Sequence, residues 1–168
     1  ALPIYRVMLE RAAELMVGIE LLRRALQVER AFIGIEANKP DAIAVMGDAC
    51  REYDGVEVVP LKVHYPQGAE KQLIKAILDR EVPSGKLPLD VGCVVNNVGT
   101  ALAVYEAVQK KKPLVERYIT VSGKEVKNPG NFLVRVGTPV QELIDAVGGL
   151  PEKSAKVILG GPMTGKAA

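Results

Sequence analysis

Apolar residues at Met8, Ala12, Leu15, Ile19, Leu22 and Leu26 recur at alternating steps of four and three. That spacing lays them along one face of a helix, so the stretch 7–26 is predicted helical. The fully apolar run 31–35 then reads as a short buried strand. Asn38, Pro40 and Asp41 form a helix start, with the proline where its missing N–H costs nothing. Ile43, Met46, Cys50 and Tyr53 give that helix its inward stripe. A second strand over 56–63 contains Pro60, which assigns it to a sheet edge or a bulge. A helix over 69–79 follows, with Leu73, Ile74, Ile77 and Leu78 inward. After the Pro- and Gly-containing loop 81–88, the run 91–95 is predicted as another buried strand leading into a helix over 97–110. Strands alternating with helices predict an α/β domain: a mostly parallel, nucleotide-binding-like sheet with helices packed on it.

The texture changes after the lysine run at 110–112 and Pro113, which is read as a solvated helix end and a domain boundary. Beyond it, 115–121 and 132–136 read as strands, separated by turns at 122–124 and 128–130. Thr138 and Pro139 are predicted to cap a short helix whose Val140, Leu143, Ile144 and Val147 share a face. Gly148 and Gly149 end it, and 156–159 closes the series as a strand. Strand, strand, helix, strand within some fifty residues describes a small α+β unit of the ubiquitin-like β-grasp kind. The expected domains are therefore 1–113 and 114–168.

Composition narrows the classes. Hydrophobic residues make up 48% and charged residues 25% of the 168, enough for a real core. Lys and Arg number 22 against 20 Asp and Glu, so there is no electrostatic footprint for nucleic acid. No apolar run reaches the length of a membrane span, so direct membrane insertion is not expected. Cys50 and Cys93 stand alone in apolar surroundings. They are read as buried reduced thiols of an intracellular protein, not as a disulfide framework or metal site. The opening Ala1-Leu2-Pro3 runs straight into a helix pattern, as in a piece of a longer polypeptide.

Several stretches carry candidate chemistry. The run 160–166 fits the phosphate-loop spacing G-x-x-x-x-G-K, but Ala167 stands where Mg²⁺ binding needs Ser or Thr, and Pro162 removes a backbone N–H from the cradle. It is read as a glycine-rich turn. His64, the sole histidine, is read as a hydrogen-bonded structural residue at a strand end, and Asp41, Asp48, Asp54 and Glu57 as solvated surface. The strand-to-helix turn 65–71 is richer. Gly68 can bring backbone N–H groups close to a ligand at the positive end of a helix, Tyr65 offers an aromatic face, and Glu70 offers an acceptor. The second such turn, 94–100, presents Asn96, Asn97 and Thr100 at a strand's carboxyl end, where open α/β sheets take ligands. On chemistry alone, each turn serves equally well as a ligand wall or as plain helix capping and chain reversal.

The run Y-P-Q-G-A-E-K-Q-L at 65–73 resembles that of the C subunits of Rnf-type electron-transport complexes, membrane-associated ferredoxin:NAD⁺ oxidoreductases. E-x-N-K-P-D-A-I at 36–43, V-V-N-N-V-G-T at 94–100, V-K-N-P-G-N at 126–131 and G-G-P-M at 160–163 follow the order expected of that family. More distantly, the asparagine pair and a Tyr-x-x-Gly turn are similar to the NADH-binding flavoprotein subunit of respiratory complex I. The resemblance implies an FMN- and NADH-binding first domain and a soluble-ligand-binding β-grasp second domain. It implies that Tyr65, Gly68 and Glu70 lie in the nucleotide pocket and that Asn96, Asn97 and Thr100 contact FMN. Where the family has two consecutive acids, this chain has Ala69 and Glu70, so one carboxylate role is missing.

The same resemblance implies electron transfer between NADH and ferredoxin through FMN and 4Fe–4S clusters, and a peripheral place on the cytoplasmic face of the cell membrane. Its partners would be the other subunits of a membrane-bound electron-transport complex. A glycine-rich flavin-phosphate loop would lie before Ala1 and two four-cysteine cluster motifs after Ala168; Cys50 and Cys93 cannot replace them. The isolated stretch is accordingly expected to be inactive, with no catalytic or metal-ligating residue of its own. The rival readings are a non-catalytic docking module within a redox complex and, by fold analogy, a small-ligand sensor.

Overall fold

The computed structural model describes residues 3–150, 156–161 and 165–167. The chain divides into two compact units, Ala1–Val115 and Glu116–Ala168.

The first unit opens with helices α1 (Pro3–Glu10) and α2 (Ala12–Leu26). The single helix predicted over 7–26 is thus interrupted at Arg11, where φ is −133° and ψ is 32°. The apolar period runs through the break unchanged, so periodicity could not reveal it. The hydrogen bonds from Arg11 N to Val7 O (2.9 Å) and from Leu15 N to Arg11 O (3.0 Å) survive, making it a kink. The Arg11 guanidinium is held by Glu14 and, at 2.8 Å, by Glu106 of the last helix of this unit.

Strand β1 (Ala31–Glu36), helix α3 (Pro40–Cys50) and strand β2 (Val56–Leu61) form a β-α-β unit with the strands parallel, in register from Ala31 opposite Val56 to Glu36 opposite Leu61. Pro40 occupies the first turn of α3 as predicted, but Asn38 does not cap it; its side-chain oxygen accepts from Lys39 Nζ at 3.1 Å. Ile33 and Ile35 turn one face of β1 into the core with Leu15, Met16, Ala42 and Met46. Gly34 turns to the other face, under helix α4 (Glu70–Leu78), where an added Cβ would sit 2.8 Å from Leu61 Cδ1 and Leu73 Cδ1 and 3.3 Å from Ile77 Cδ1. Both faces of β1 are therefore covered, the usual condition of parallel strands. Helix α5 (Val98–Lys110) packs on α2 so closely that a Cβ on Gly18 would lie 2.0 Å from Ala101 O.

Three expectations are corrected here. The run 91–95 is not a paired strand: Pro88–Val91 forms a 3-10 turn, Gly92 adopts φ 70°, and the chain then runs to Asn97 without a ladder. Among the described residues the sheet of this unit is the single pair β1 and β2, and not the larger parallel sheet expected. An apolar run specifies burial, but a strand also needs a neighbour that donates and accepts along its edge. Cys93, expected buried, is half-buried, whereas Cys50 is buried on α3; both thiols are free.

In the second unit β3 (Glu116–Val121) pairs antiparallel with β4 (Gly130–Arg135), followed by α6 (Val140–Ala146). Thr138 does not cap α6; its hydroxyl donates to Arg135 O at 2.8 Å, and Pro139 takes the N-cap position. Val147 is buried to 1% exposure, and Gly148 and Gly149 end the segment at φ 95° and 85°, with Gly149 N donating to Ile144 O at 2.9 Å. β5 (Ile158–Leu159) pairs with β6 (Lys166–Ala167), which the sequence pattern did not predict. The phosphate-loop look-alike is thus the connection of a short antiparallel pair and not a strand-to-helix cradle; its Pro162, Met163 and Thr164 lie outside the described residues.

Candidate functional site

Chain reversal after β2 is built by local backbone bonds: Gln67 N donates to His64 O (2.7 Å) and Ala69 N to Pro66 O (2.9 Å), across a cis Tyr65-Pro66 peptide. α4 starts at Glu70, with no side-chain cap from Ala69. Tyr65 is 58% exposed, and Gly68 and Glu70 are exposed. A Cβ on Gly68 would meet nothing within 4 Å, and its φ is not in the left-handed region. The fold itself does not demand glycine there. His64 is exposed, and among the described residues its imidazole makes no hydrogen bond, which corrects the reading of it as a hydrogen-bonded structural residue.

The second turn shows one of its two expected asparagine roles plainly. Asn97 is the N-cap of α5: its Oδ1 accepts from Gly99 N at 2.9 Å, and its backbone oxygen accepts from Thr100 N at 2.9 Å and Ala101 N at 3.1 Å. Capping leaves its Nδ2 as the remaining donor. Asn96 is exposed and takes no part in the cap. Thr100 is half-buried in the first turn of α5.

Both asparagines line a cleft of about 740 Å³ within the first unit, whose walls are otherwise mainly apolar side chains of α2, β1, α4 and α5. Tyr65, Gly68, Glu70 and Thr100 are not among its lining residues. Geometry therefore separates the six candidates: Asn96 and Asn97 on the cleft wall, Thr100 in the first turn of α5 and off that wall, and Tyr65, Gly68 and Glu70 in the turn beyond the carboxyl end of β2. The cleft was not legible in the sequence, because it lies between elements distant along the chain.

Charged groups cluster elsewhere. Glu14 is held down at about 2, from an ordinary 4.5, chiefly by the side-chain bond from Arg11 and then by Lys110 at 2.7 Å, against the opposing effect of burial. Arg11 and Lys110 are both raised by the same Glu14 contact. This network ties the α1–α2 kink to α5. The Tyr5 hydroxyl donates to Asp41 Oδ2, which raises Tyr5 and lowers Asp41. Arg23 donates to Asp54 O (2.7 Å) and to Glu29 O (2.5 Å), staking the segments that lead into β2 and β1, and its buried Nε lacks a partner.

Among the described residues no group of three or more His, Cys, Asp or Glu could hold a metal ion. None of their helices is long and apolar enough to cross a membrane.

The family model of the Nuo51 FMN-binding domain matches residues 5–106. The chain belongs to that family. The model of the SLBB domain matches residues 118–167, the second unit. Three relatives are C subunits of oxidoreductase complexes. The chain is 50% identical over 163 residues to that of the proton-translocating ferredoxin:NAD(+) oxidoreductase complex of Clostridium ljungdahlii, covering 97% of this chain and 35% of that relative. It is 46% identical over 161 residues to that of the Na(+)-translocating ferredoxin:NAD(+) oxidoreductase complex of Acetobacterium woodii, covering 96% of this chain and 36% of the relative. With that of the ion-translocating oxidoreductase complex of Yersinia pseudotuberculosis it shares 43% identity over 160 residues, 95% of this chain and 23% of the relative. The chain thus spans about a third of the first two relatives. The resemblance read from the five motifs is borne out, and the complex I relation with it.

Proposed function

We propose that the chain forms part of an electron-transfer subunit of an ion-translocating ferredoxin:NAD⁺ oxidoreductase, with residues 1–113 walling an FMN and NADH site and residues 114–168 acting as a ligand-binding β-grasp domain. The observation that carries this is the turn 65–70. It follows the carboxyl end of a parallel strand, where open α/β sheets take ligands, and it holds a glycine that the fold does not need. Membership of the Nuo51 FMN-binding domain family supports the choice of cofactor.

The donor set suits a flavin's polar edge. Asn96 offers an amide donor and acceptor, and Asn97 offers its side-chain NH2 while its oxygen holds the helix. Thr100 would add a hydroxyl from the same turn, and Tyr65 an aromatic face. Glu70 would accept from ribose hydroxyls or the nicotinamide amide. Bound FMN would supply the step between two-electron hydride transfer and single-electron transfer, with the protein positioning it. The residues here do not fit an iron–sulfur cluster: no metal-holding group exists among the described residues, and Cys50 lies buried in the core on α3. Any 4Fe–4S cluster of such a subunit would take its ligands from elsewhere in the polypeptide. The other subunits of a membrane-bound complex are the partners this reading implies, with the subunit peripheral on the cytoplasmic face.

Asn96→Ala and Gly68→Val test the reading in the full-length protein by FMN and NADH titration. Loss of one hydrogen bond predicts FMN binding weakened roughly 3- to 10-fold by Asn96→Ala. Gly68→Val is expected to weaken NADH binding at least as much, with unfolding midpoints unchanged. Unaltered affinity for both ligands in both variants would refute the site and favour the docking-module reading.

A further inference from the structure

Between the 3-10 turn and the N-cap of α5 the chain runs from Gly92 to Asn96 without a ladder, yet its exposure alternates as a strand's does. Val91, Cys93 and Val95 are half-buried, whereas Gly92, Val94 and Asn96 are exposed. A slip of one residue along such a run exchanges its two faces. It would carry Asn96 from the exposed side to the half-buried one. In a sheet the ladder forbids that slip; here the register has to be held at the ends.

The far end is held by the α5 cap, where Asn97 Oδ1 accepts from Gly99 N at 2.9 Å. The near end closes mainly on itself. Asp90 N donates to Leu87 O, Gly92 N to Leu89 O and Cys93 N to Pro88 O, each at 3.0 Å, and Asp90 Oδ2 accepts from Leu87 N at 2.8 Å. These bonds join near neighbours, so they shape the turn without placing it in the unit. Among the described residues, one hydrogen bond ties 87–96 to another part of the fold: Arg80 Nη1 donates to Val91 O at 2.9 Å. The same carbonyl accepts from Cys93 Sγ at 3.5 Å. Gly92 follows at φ 70°, and a Cβ there would stand 3.6 Å from Arg80 Nη1. The guanidinium thus sits against the point where the run begins.

Arg80 is itself firmly placed, directly after the C-cap of α4. That helix lies on Gly34 of β1 through Leu73 and Ile77, and its Ile74 is buried. Lys75 Nζ bonds Asp79 Oδ1 at 2.7 Å and Glu81 Oε1 at 3.0 Å, clasping the residues on either side of Arg80. Nine residues make α4 about 13 Å long, which separates Arg80 from the turn 65–70 at the other end. From Val91 to Asn96 an extended chain covers about 16 Å. A bond so far from both turns acts on the asparagines only through the run between them.

We infer that Arg80 is a positioning residue for the flavin site: by holding Val91 O it sets the register of 92–96 and keeps Asn96 beside Asn97 on the cleft wall, touching no ligand itself. This role rests on the proposed FMN site and adds to it a residue outside both turns.

A double-mutant cycle in the full-length protein, read by FMN titration, tests it. Arg80→Met keeps an aliphatic stem and removes the donors. It is expected to weaken FMN binding roughly 3- to 10-fold, as Asn96→Ala does. Because Arg80 acts through Asn96, the variant carrying both changes should bind within about 2-fold of Asn96→Ala alone. The cycle is repeated with Arg80→Gln, so that a folding defect peculiar to one side chain does not decide it. Cys93, two residues beyond Val91, should alkylate faster in Arg80→Met, which reports release of the run without any ligand.

Effects that multiply in the double variant would overturn the inference, since a direct contact or a general loss of stability is independent of Asn96. Unchanged Cys93 alkylation would overturn it too. If Arg80→Met binds FMN like the parent while Asn96→Ala does not, the role of Arg80 fails and the site stands. If Asn96→Ala itself binds FMN like the parent, the site fails and this role with it.

Discussion

Replacing Gly18 by alanine introduces one carbon at the closest approach of two helices. Its Cβ would sit 2.0 Å from Ala101 O and 2.8 Å from Ala101 C. An unstrained C···O contact needs about 3.3 Å, so α2 and α5 must part by about 1 Å. The obstructing atoms belong to the backbone of α5, so no side chain can swing aside. Parting by that amount forfeits roughly a quarter to a half of the dispersion attraction across the contact, and overpacking of this kind costs about 1–3 kcal/mol. An obstruction made of backbone puts that cost in its upper part, about 2–3 kcal/mol; alanine's helix preference over glycine returns about 1 kcal/mol, leaving a net loss of about 1–2 kcal/mol. Gly47→Ala on α3 provides the matched control. It makes the same chemical change in a helix where a Cβ meets nothing within 4 Å, and should gain about 0.5–1 kcal/mol. Urea unfolding followed by helix circular dichroism reads the first unit, which holds five of the six α-helices among the described residues. With a urea slope of about 1–3 kcal/mol/M, the two midpoints should differ by roughly 1 M. A Gly18→Ala midpoint equal to or above that of the parent would refute the close approach.

Gly34→Ala should cost less than Gly18→Ala in the same assay, because its Cβ would meet only the mobile ends of Leu61, Leu73 and Ile77; a larger loss would show that α4 cannot yield. Glu14→Gln should destabilise by about 1–2 kcal/mol near pH 7, less than the roughly 3 kcal/mol that a fall from 4.5 to about 2 converts to at face value, since solvent screens a side chain that is 27% exposed. A carboxylate held below its unfolded value stabilises fully above about 4.5 and loses that contribution as pH falls through about 2, so the gap between parent and variant should be more than halved near pH 3. A gap that is constant or grows in acid would contradict the network. Cys50 is 8% exposed and its thiol is pushed up by burial, so Cys93 should alkylate first in the native protein and both should react in urea; equal native rates would refute the packing of α3.

Much of the local structure was legible because it is governed by near neighbours. The start of α3, the boundaries of α4 and α5, the placement of Pro60 at a sheet edge and the glycine stop at 148–149 all follow from periodicity, proline geometry and positive φ, whereas α3 ends at Cys50, short of the Tyr53 assigned to its stripe. The α1–α2 kink was hidden, since its apolar stripe is unbroken and its partner Glu106 is 95 residues away from Arg11. The run 91–95 failed differently: its apolarity suits a strand, yet no partner edge reaches it. At the candidate site the residue types were readable and their division of labour was not. Asn97 spends its oxygen on Gly99 N, whereas Asn96, one residue earlier, does not.

The sequence by itself determined the alternation of elements, the change of texture after Pro113 and, through its five motifs, the family, because these depend on residue order over short spans. Tertiary structure alone decided that Gly18 is a contact point while Gly47 and Gly68 are open. It also decided that the two asparagines share a cleft separate from the turn 65–70. Those properties belong to surfaces assembled from α2, β1, α4 and α5, and a surface between distant segments leaves no periodic trace in any one of them.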